Sequence, residues 1–282
     1  MRTRVLLGGS LLAAVLGLLA LDHFLSVRIC ISALIVLLGL AGWCELALLC
    51  GVASRARGGG AALWATGFIA TAYFLAVAWW EGATASSRPD LLASGIAALL
   101  FASFFSVVFR AELEKRFQPL LMTILGGLLF GFLFSYLLRI YHQKDGILRG
   151  AVFLLGVKGN DIAAYLVGRA IGRIRFLKVS PKKTLEGCVA ALVFSVIWFP
   201  GASWLWPESF FPWPWAIPLG IILSITTQVG DLSESLIKRC YQVKDSSSLI
   251  PEFGGILDLT DSVLFSGYLF WSVGVAALFP TH

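Results

Sequence analysis

Charge is scarce in this chain. Only 13% of the 282 residues are Asp, Glu, Lys or Arg, whereas 58% are apolar, and the mean hydropathy is +0.86. A water-soluble fold of this length is excluded, because it would leave far more apolar surface in water than it could bury. Cysteine is sparse as well: Cys30, Cys44, Cys50, Cys188 and Cys240 form no CxxC pair, and the histidines do not cluster beside them. That pattern rules out a zinc site of the usual spacing, and an odd number scattered through apolar stretches argues against a disulfide framework. The cysteines read as small apolar fillers. The chain also lacks a repeat of about 20 to 50 residues, a Pro-rich linker and a low-complexity tail, so nothing marks a second domain. Its Gly-rich patch, Gly58 to Gly60, has neither the Lys nor the Ser/Thr of a phosphate-binding loop.

What the chain has instead is a series of long apolar runs, at 5–21, 29–53, 60–80, 91–109, 119–138, 150–168, 187–205, 214–232 and 262–280. Runs of about 20 residues match the hydrocarbon thickness of a bilayer, and a lipid-exposed backbone must satisfy its own hydrogen bonds. The runs are continuous rather than alternating, which excludes barrel strands. The expected fold is therefore all-α: a polytopic integral membrane protein with about nine transmembrane helices, forming a single domain over 1–282.

Basic residues orient these spans. Under the nine-span model, Arg2, Arg4, Arg55, Arg57, Arg110, Lys115, Arg116, Arg169, Arg173, Arg175, Lys178, Lys182, Lys183, Lys238, Arg239 and Lys244 share one side, against Arg28, Arg88, Arg139, Lys144 and Arg149 on the other. Positive charge collects in the cytoplasm, so the amino terminus is expected inside and the carboxyl terminus outside. The net charge of +6 is explained by this asymmetry and calls for no nucleic acid. Arg2 and Arg4 ahead of an apolar run, with Ala20 near its end, also fit a cleaved signal peptide; an uncleaved anchor is the expectation adopted. Trp204 to Trp215, rich in Trp and Pro, reads as an interfacial aromatic hairpin on the outer side.

The remaining charge is concentrated between Gly230 and Ser262, where Asp231, Glu234, Lys238, Arg239, Lys244, Asp245, Asp258 and Asp261 follow one another closely. With a helix beginning near Ile256, Asp258 and Asp261 share one face in its first turns, where the helix dipole favours the ionised carboxylate. Asp231, at the cytoplasmic end of the preceding span, can approach from the opposite wall. Three such carboxylates make a Mg²⁺ site that leaves positions for water and substrate phosphates. The plainer reading is that Asp258 and Asp261 cap the last helix. Gly254 and Gly255, which permit close backbone approach, and the expense of ionisable groups at membrane spans favour the metal.

A second polar cluster lies upstream. Asn160 and Asp161 interrupt an apolar span beside Lys158 and must find partners within the bundle. Ser180, Pro181, Lys182 and Lys183 form a turn whose lysines can receive phosphate oxygens. Arg169, Arg173, Arg175 and Lys178 extend the span as a basic tail suited to anionic head groups. Glu45, in the second span, is expected to pair with a base or an Asn from another helix.

These residues resemble the signature of the phosphatidate cytidylyltransferases, or CDP-diglyceride synthetases. The likeness is carried by Asp231, Ser235, Lys238, Arg239, Lys244, Asp245, Pro251, Gly254, Gly255, Asp258 and Asp261, and upstream by Asn160, Asp161, Ala164, Tyr165, Gly168, Arg169, Ser180, Pro181, Lys182, Lys183, Thr184, Glu186 and Gly187. Phe253, Leu259 and Ile162 depart from it. The likeness is strong over the carboxyl-terminal half, so 1–140 reads as amino-terminal helices and 141–282 as the catalytic ones.

The resemblance implies transfer of CMP from CTP to phosphatidate, giving CDP-diacylglycerol and pyrophosphate. It assigns Asp231, Asp258 and Asp261 to Mg²⁺, with K⁺ as a second ion, and makes Lys238 and Arg239 catalytic. Asn160, Asp161, Ser180, Lys182, Lys183, Lys244 and Asp245 would bind substrate. It further implies a homodimer in a bacterial inner membrane with the active site facing the cytoplasm. A CTP-dependent enzyme acting on another lipid phosphate or polyprenol would share the nucleotide site. A transporter would instead spread its polar residues across several spans.

Overall fold

The computed structural model describes residues 14–15, 17–22, 24–25, 28–50, 60–84, 88–108, 113–177, 179–210, 213–247 and 254–272. Almost all of them are helical. The helices are α1 (Cys30–Leu49), α2 (Gly60–Thr84), α3 (Pro89–Val108), α4 (Leu113–Gly126), a π-helical segment (Gly127–Leu133), α5 (Phe134–His142), α6 (Gly146–Ile171), α7 (Leu185–Leu205), α8 (Trp213–Cys240) and α9 (Ile256–Leu269). Seven helical runs among the described residues are long and apolar enough to cross a membrane, with α4, the π segment and α5 combining into the run Arg116–His142. The chain is an all-α polytopic membrane protein. The two expected spans not among the seven, 5–21 and 262–280, lie partly outside the described residues, and with the first lies the choice between anchor and signal peptide.

The eighth expected span ends at 232, yet α8 continues to Cys240. Hydropathy fails at Asp231, but the backbone ladder does not. The added turns carry a Lys238–Glu234 pair at 2.7 Å with i,i+4 spacing, which supports continuation of the helix. The first third of the charged connection is thus helix.

Two compact units share the chain. One comprises Met1–His142 with Asp245–Leu259, the other Gln143–Lys244 with Thr260–His282.

In the first unit, helices approach closely at small residues, as expected where lipid supplies no hydrophobic drive. The fully buried Trp43 ring lies against Gly67 and Gly126, and Phe130 lies over Gly42, so that a side chain at any of these glycines would collide with the ring. Phe74 meets Tyr73 and Phe132 edge-on, both with centroids 5.8 Å apart. Charge inside this unit is compensated: the Arg139 guanidinium pairs with Glu81 and lies 5.2 Å from the Tyr136 ring centroid. Asp22 accepts from the backbone N–H groups of Cys30 (3.0 Å) and Ile31 (2.9 Å) at the start of α1, and from the Tyr141 hydroxyl (2.6 Å).

The second unit packs α6, α7, α8 and the later turns of α9. Phe194 and Phe199 of α7 sit against Gly159 and Gly156 of α6, and the Trp198 indole donates to the Val152 carbonyl at 2.9 Å. Thr184 caps α7, its Oγ1 accepting from Gly187 N–H at 3.3 Å. Glu186 accepts from the backbone N–H groups of Arg173 (3.0 Å) and Ile174 (3.2 Å), which fixes the extended stretch after α6. Phe270 of the last turn described packs at a tilt against Phe153, with ring centroids 5.0 Å apart, and against Phe199, at 6.1 Å.

The buried Arg139–Glu81 pair gives a stability prediction. Glu81→Ala removes the carboxylate paired with a buried guanidinium and should destabilise the detergent-solubilised protein by about 3–5 kcal/mol, measured as a loss of thermal stability.

Candidate active site

The site is built from α8 and the later turns of α9, completed by the turn before α7 and by α6, all within the second unit. Gly230 lets α8 and α9 touch, since a Cβ there would meet the Asp261 carbonyl. At this crossing Asp231 and Glu234, one helical turn apart on α8, meet Asp261 of α9. Carboxylate oxygens of the three lie within 4.8 Å of one another. Glu234 is 4% exposed, and the two aspartates are half-buried.

Like charges at this spacing repel, and lysines offset them. Lys183, in the turn ahead of α7, reaches Asp231 at 2.6 Å and the Gln228 carbonyl at 3.5 Å. Its backbone N–H bonds the Ser180 carbonyl at 3.0 Å, which closes the turn that aims it. Lys238 pairs with Glu234. Lys158 of α6 donates to Ser262 Oγ at 2.8 Å and lies 3.7 Å from Asp161. Asp261 interacts electrostatically with Lys158, Asp231 and Asp161. Four carboxylates against three ammonium groups leave the cluster close to neutral and slightly acidic, which suits a divalent cation carrying an anionic substrate.

The expected residues separate into groups. Asp231 and Asp261 converge, with Lys183, Lys158 and Asp161 beside them. Asn160 is 1% exposed, and its amide donates to Ser195 Oγ (2.7 Å), Ser224 Oγ (2.8 Å) and the Ala191 carbonyl (3.3 Å). It ties α6 to α7 and α8. Lys182, Lys244 and Asp245 are exposed, and Ser180 is half-buried. Arg239 is exposed too, donating to the Val243 carbonyl at 3.3 Å just beyond α8.

Asp258 belongs to the other unit. Its Oδ2 accepts from Ser246 N–H (2.9 Å), Ser246 Oγ (2.5 Å) and Gly255 N–H (2.9 Å). Of the three departures from the resembled signature, Ile162 is exposed on α6, Leu259 is half-buried, and Phe253, like Pro251, lies outside the described residues.

Glu234 joins the carboxylate group without having been singled out from the sequence. The signal was present, since Asp231 and Glu234 are spaced i,i+3, but it counts only once α8 is known to continue past 232. Ser262, which holds Lys158, and Gln228 and Ser224, which meet at 3.1 Å behind Asn160, are further additions.

The chain belongs to the cytidylyltransferase family, whose model matches residues 2–276. It is 41% identical over 133 residues to phosphatidate cytidylyltransferase 5, chloroplastic, of Arabidopsis thaliana, covering 46% of this chain and 33% of that protein. It is 42% identical over 113 residues to the phosphatidate cytidylyltransferase of Synechocystis sp., 39% of this chain and 37% of that one. With the Bacillus subtilis phosphatidate cytidylyltransferase it shares 32% identity over 143 residues, 50% of this chain and 53% of the relative. The matched stretches thus span about a third to a half of these relatives.

The geometry of Asn160 predicts a packing phenotype. Asn160→Ala should lower stability by roughly 0.6–1.7 kcal/mol for each interhelical hydrogen bond lost, read as an earlier thermal transition of the purified protein.

Proposed function

We propose that this protein transfers CMP from CTP to phosphatidate, forming CDP-diacylglycerol and releasing pyrophosphate. The observation that carries the reading is the meeting of Asp231, Glu234 and Asp261 under three lysines in a chain of the cytidylyltransferase family. Octahedral Mg²⁺ with oxygens at about 2.1 Å sets neighbouring donors about 3 Å and opposite donors about 4 Å apart. A group of hard oxygens within 4.8 Å reaches that spacing by small side-chain rotations, so the donor set fits the ion. Mg²⁺ held by these three residues would neutralise the triphosphate and the leaving pyrophosphate. K⁺ is the second ion that the resemblance implies.

The chain's own residues position and neutralise, which is most of what phosphoryl-type transfer requires. A phosphate oxygen of phosphatidate forms the new bond to the α-phosphorus as the bond to the β-phosphate bridge breaks, and the electron pair leaves with pyrophosphate. The attacking monoester is already anionic, so no side chain must remove a proton. Lys158, Lys183 and Lys238 present ammonium groups to phosphate oxygens, with Arg239, Lys182 and Lys244 as exposed positive charge for the incoming nucleotide. In this reading Asp161 holds Lys158 in place, and Asp258 caps α9. In this reading the site faces the cytoplasm from a bacterial inner membrane, an orientation that the basic asymmetry of the loops supports. The reading keeps the homodimer that the resemblance implies.

Purified protein given CTP, phosphatidate and Mg²⁺ should release pyrophosphate and form CDP-diacylglycerol; no product from this mixture, but product from another lipid phosphate in a panel, would replace phosphatidate as substrate. Asp231→Asn and Asp261→Asn should each lower turnover by more than about a hundredfold, since even outer-shell changes at metal sites cost about 10–100-fold. Asp258→Asn keeps an acceptor oxygen for the helix start and should lose less.

A further inference from the structure

Glu45 stands within α1, one of the runs long and apolar enough to cross a membrane, and is 7% exposed. A carboxylate in such a place persists only with dedicated partners. Its partners among the described residues lie far along the chain. Ile256 N–H (2.8 Å) and Leu257 N–H (3.2 Å), the first two of α9, donate to it, as do the hydroxyls of Ser247 (3.2 Å) and Ser246. Neither a base nor an Asn is among these, contrary to the sequence expectation. The first N–H groups of a helix have no partner within the helix, and its dipole favours negative charge there.

Asp258 completes the arrangement from within α9. As the third helical residue, it reaches back to Gly255 N–H, the carboxylate half of a capping box. Two carboxylates therefore hold the N–H groups of Gly255, Ile256 and Leu257. They also account for the glycine pair ahead of the helix. Gly254 has φ +93°, and a Cβ there would meet the Asp258 carboxylate; a Cβ on Gly255 would meet the Glu45 carboxylate and Ser246 Oγ. The pair is small because two acidic side chains occupy the space a larger residue needs.

We infer that Glu45 is a positioning residue for the cation site. It anchors the first turn of α9, and so fixes the azimuth at which that helix presents Asp261, five residues after Ile256. Glu45 acts through the helix and touches neither cation nor substrate. The inference rests on the cation-dependent transfer proposed above, but its test does not require turnover.

The test titrates full-length purified protein with Mn²⁺, followed by the free-ion electron paramagnetic resonance signal, alongside the CTP and phosphatidate assay. Glu45→Ala should weaken Mn²⁺ binding at least about tenfold, the lower end for outer-shell residues of metal sites, and raise the Mg²⁺ concentration for half-maximal activity to match. KM for phosphatidate should not move. Glu45→Gln, which keeps one acceptor oxygen, should fall between Glu45→Ala and the parent protein. Gly255→Ala should reproduce the defect, and combining it with Glu45→Ala should add little, because both act on one contact.

Unchanged Mn²⁺ affinity in folded Glu45→Ala and Glu45→Gln would overturn the inference. So would loss of folding in both variants, or a parent protein that binds no Mn²⁺. A parent protein that binds Mn²⁺ but makes no CDP-diacylglycerol would sink the proposed reaction instead, while the Mn²⁺ titration still decides the role of Glu45.

Discussion

The constraint that shapes this protein is the need to keep carboxylates charged at or near lipid depth. Several acidic side chains among the described residues there meet specific donors. In the first unit, Glu81 has the Arg139 guanidinium, and Glu45 has the N–H groups that open α9. In the second, Asp231, Glu234 and Asp161 have Lys183, Lys238 and Lys158. Buried ion pairs add little net stability because desolvation offsets their attraction. What they do set is the direction in which each side chain points, and a phosphate-handling site depends on direction.

Much of the fold was legible because lipid leaves few choices. A long apolar run in a bilayer is a helix, and hydropathy locates it without any knowledge of its neighbours. Seven of the expected spans have, among the described residues, a helix long and apolar enough to cross a membrane. The end of α8 was not legible in the same way, since hydropathy reports where lipid ends rather than where a helix ends. Beyond 232 the helix is continued by backbone bonds and by the Glu234–Lys238 pair.

The site was legible in its residue types and less so in their division of labour. Its place at the end of a span brought out Asp231, and spacing on one helix face together with the dipole argument brought out Asp258 and Asp261 alike. Yet Asp258 and Asp261, three apart, serve different surroundings: the first bonds Ser246 and Gly255, and the second faces Asp231 and Glu234. A polar side chain at the depth of Asn160 had to have partners, but that these are Ser195 and Ser224 depends on helix crossings. The clamp on α9 was the least legible of all, because Glu45 and Ser246 are 201 residues apart and no local pattern links them.

The π-helical segment Gly127–Leu133 has a consequence for anyone mapping the lipid-facing stripe of the run Arg116–His142. Each residue accommodated beyond the α-helical count turns the rest of the run by about 100° relative to an unbroken helix. The stripe ahead of Gly127 and the stripe after Leu133 therefore belong to different sides of the rod, and one helical wheel drawn through all of it superimposes two faces. Alternating-hydrophobicity arguments and cysteine-labelling scans along this run have to be phased separately on either side of the wide turn.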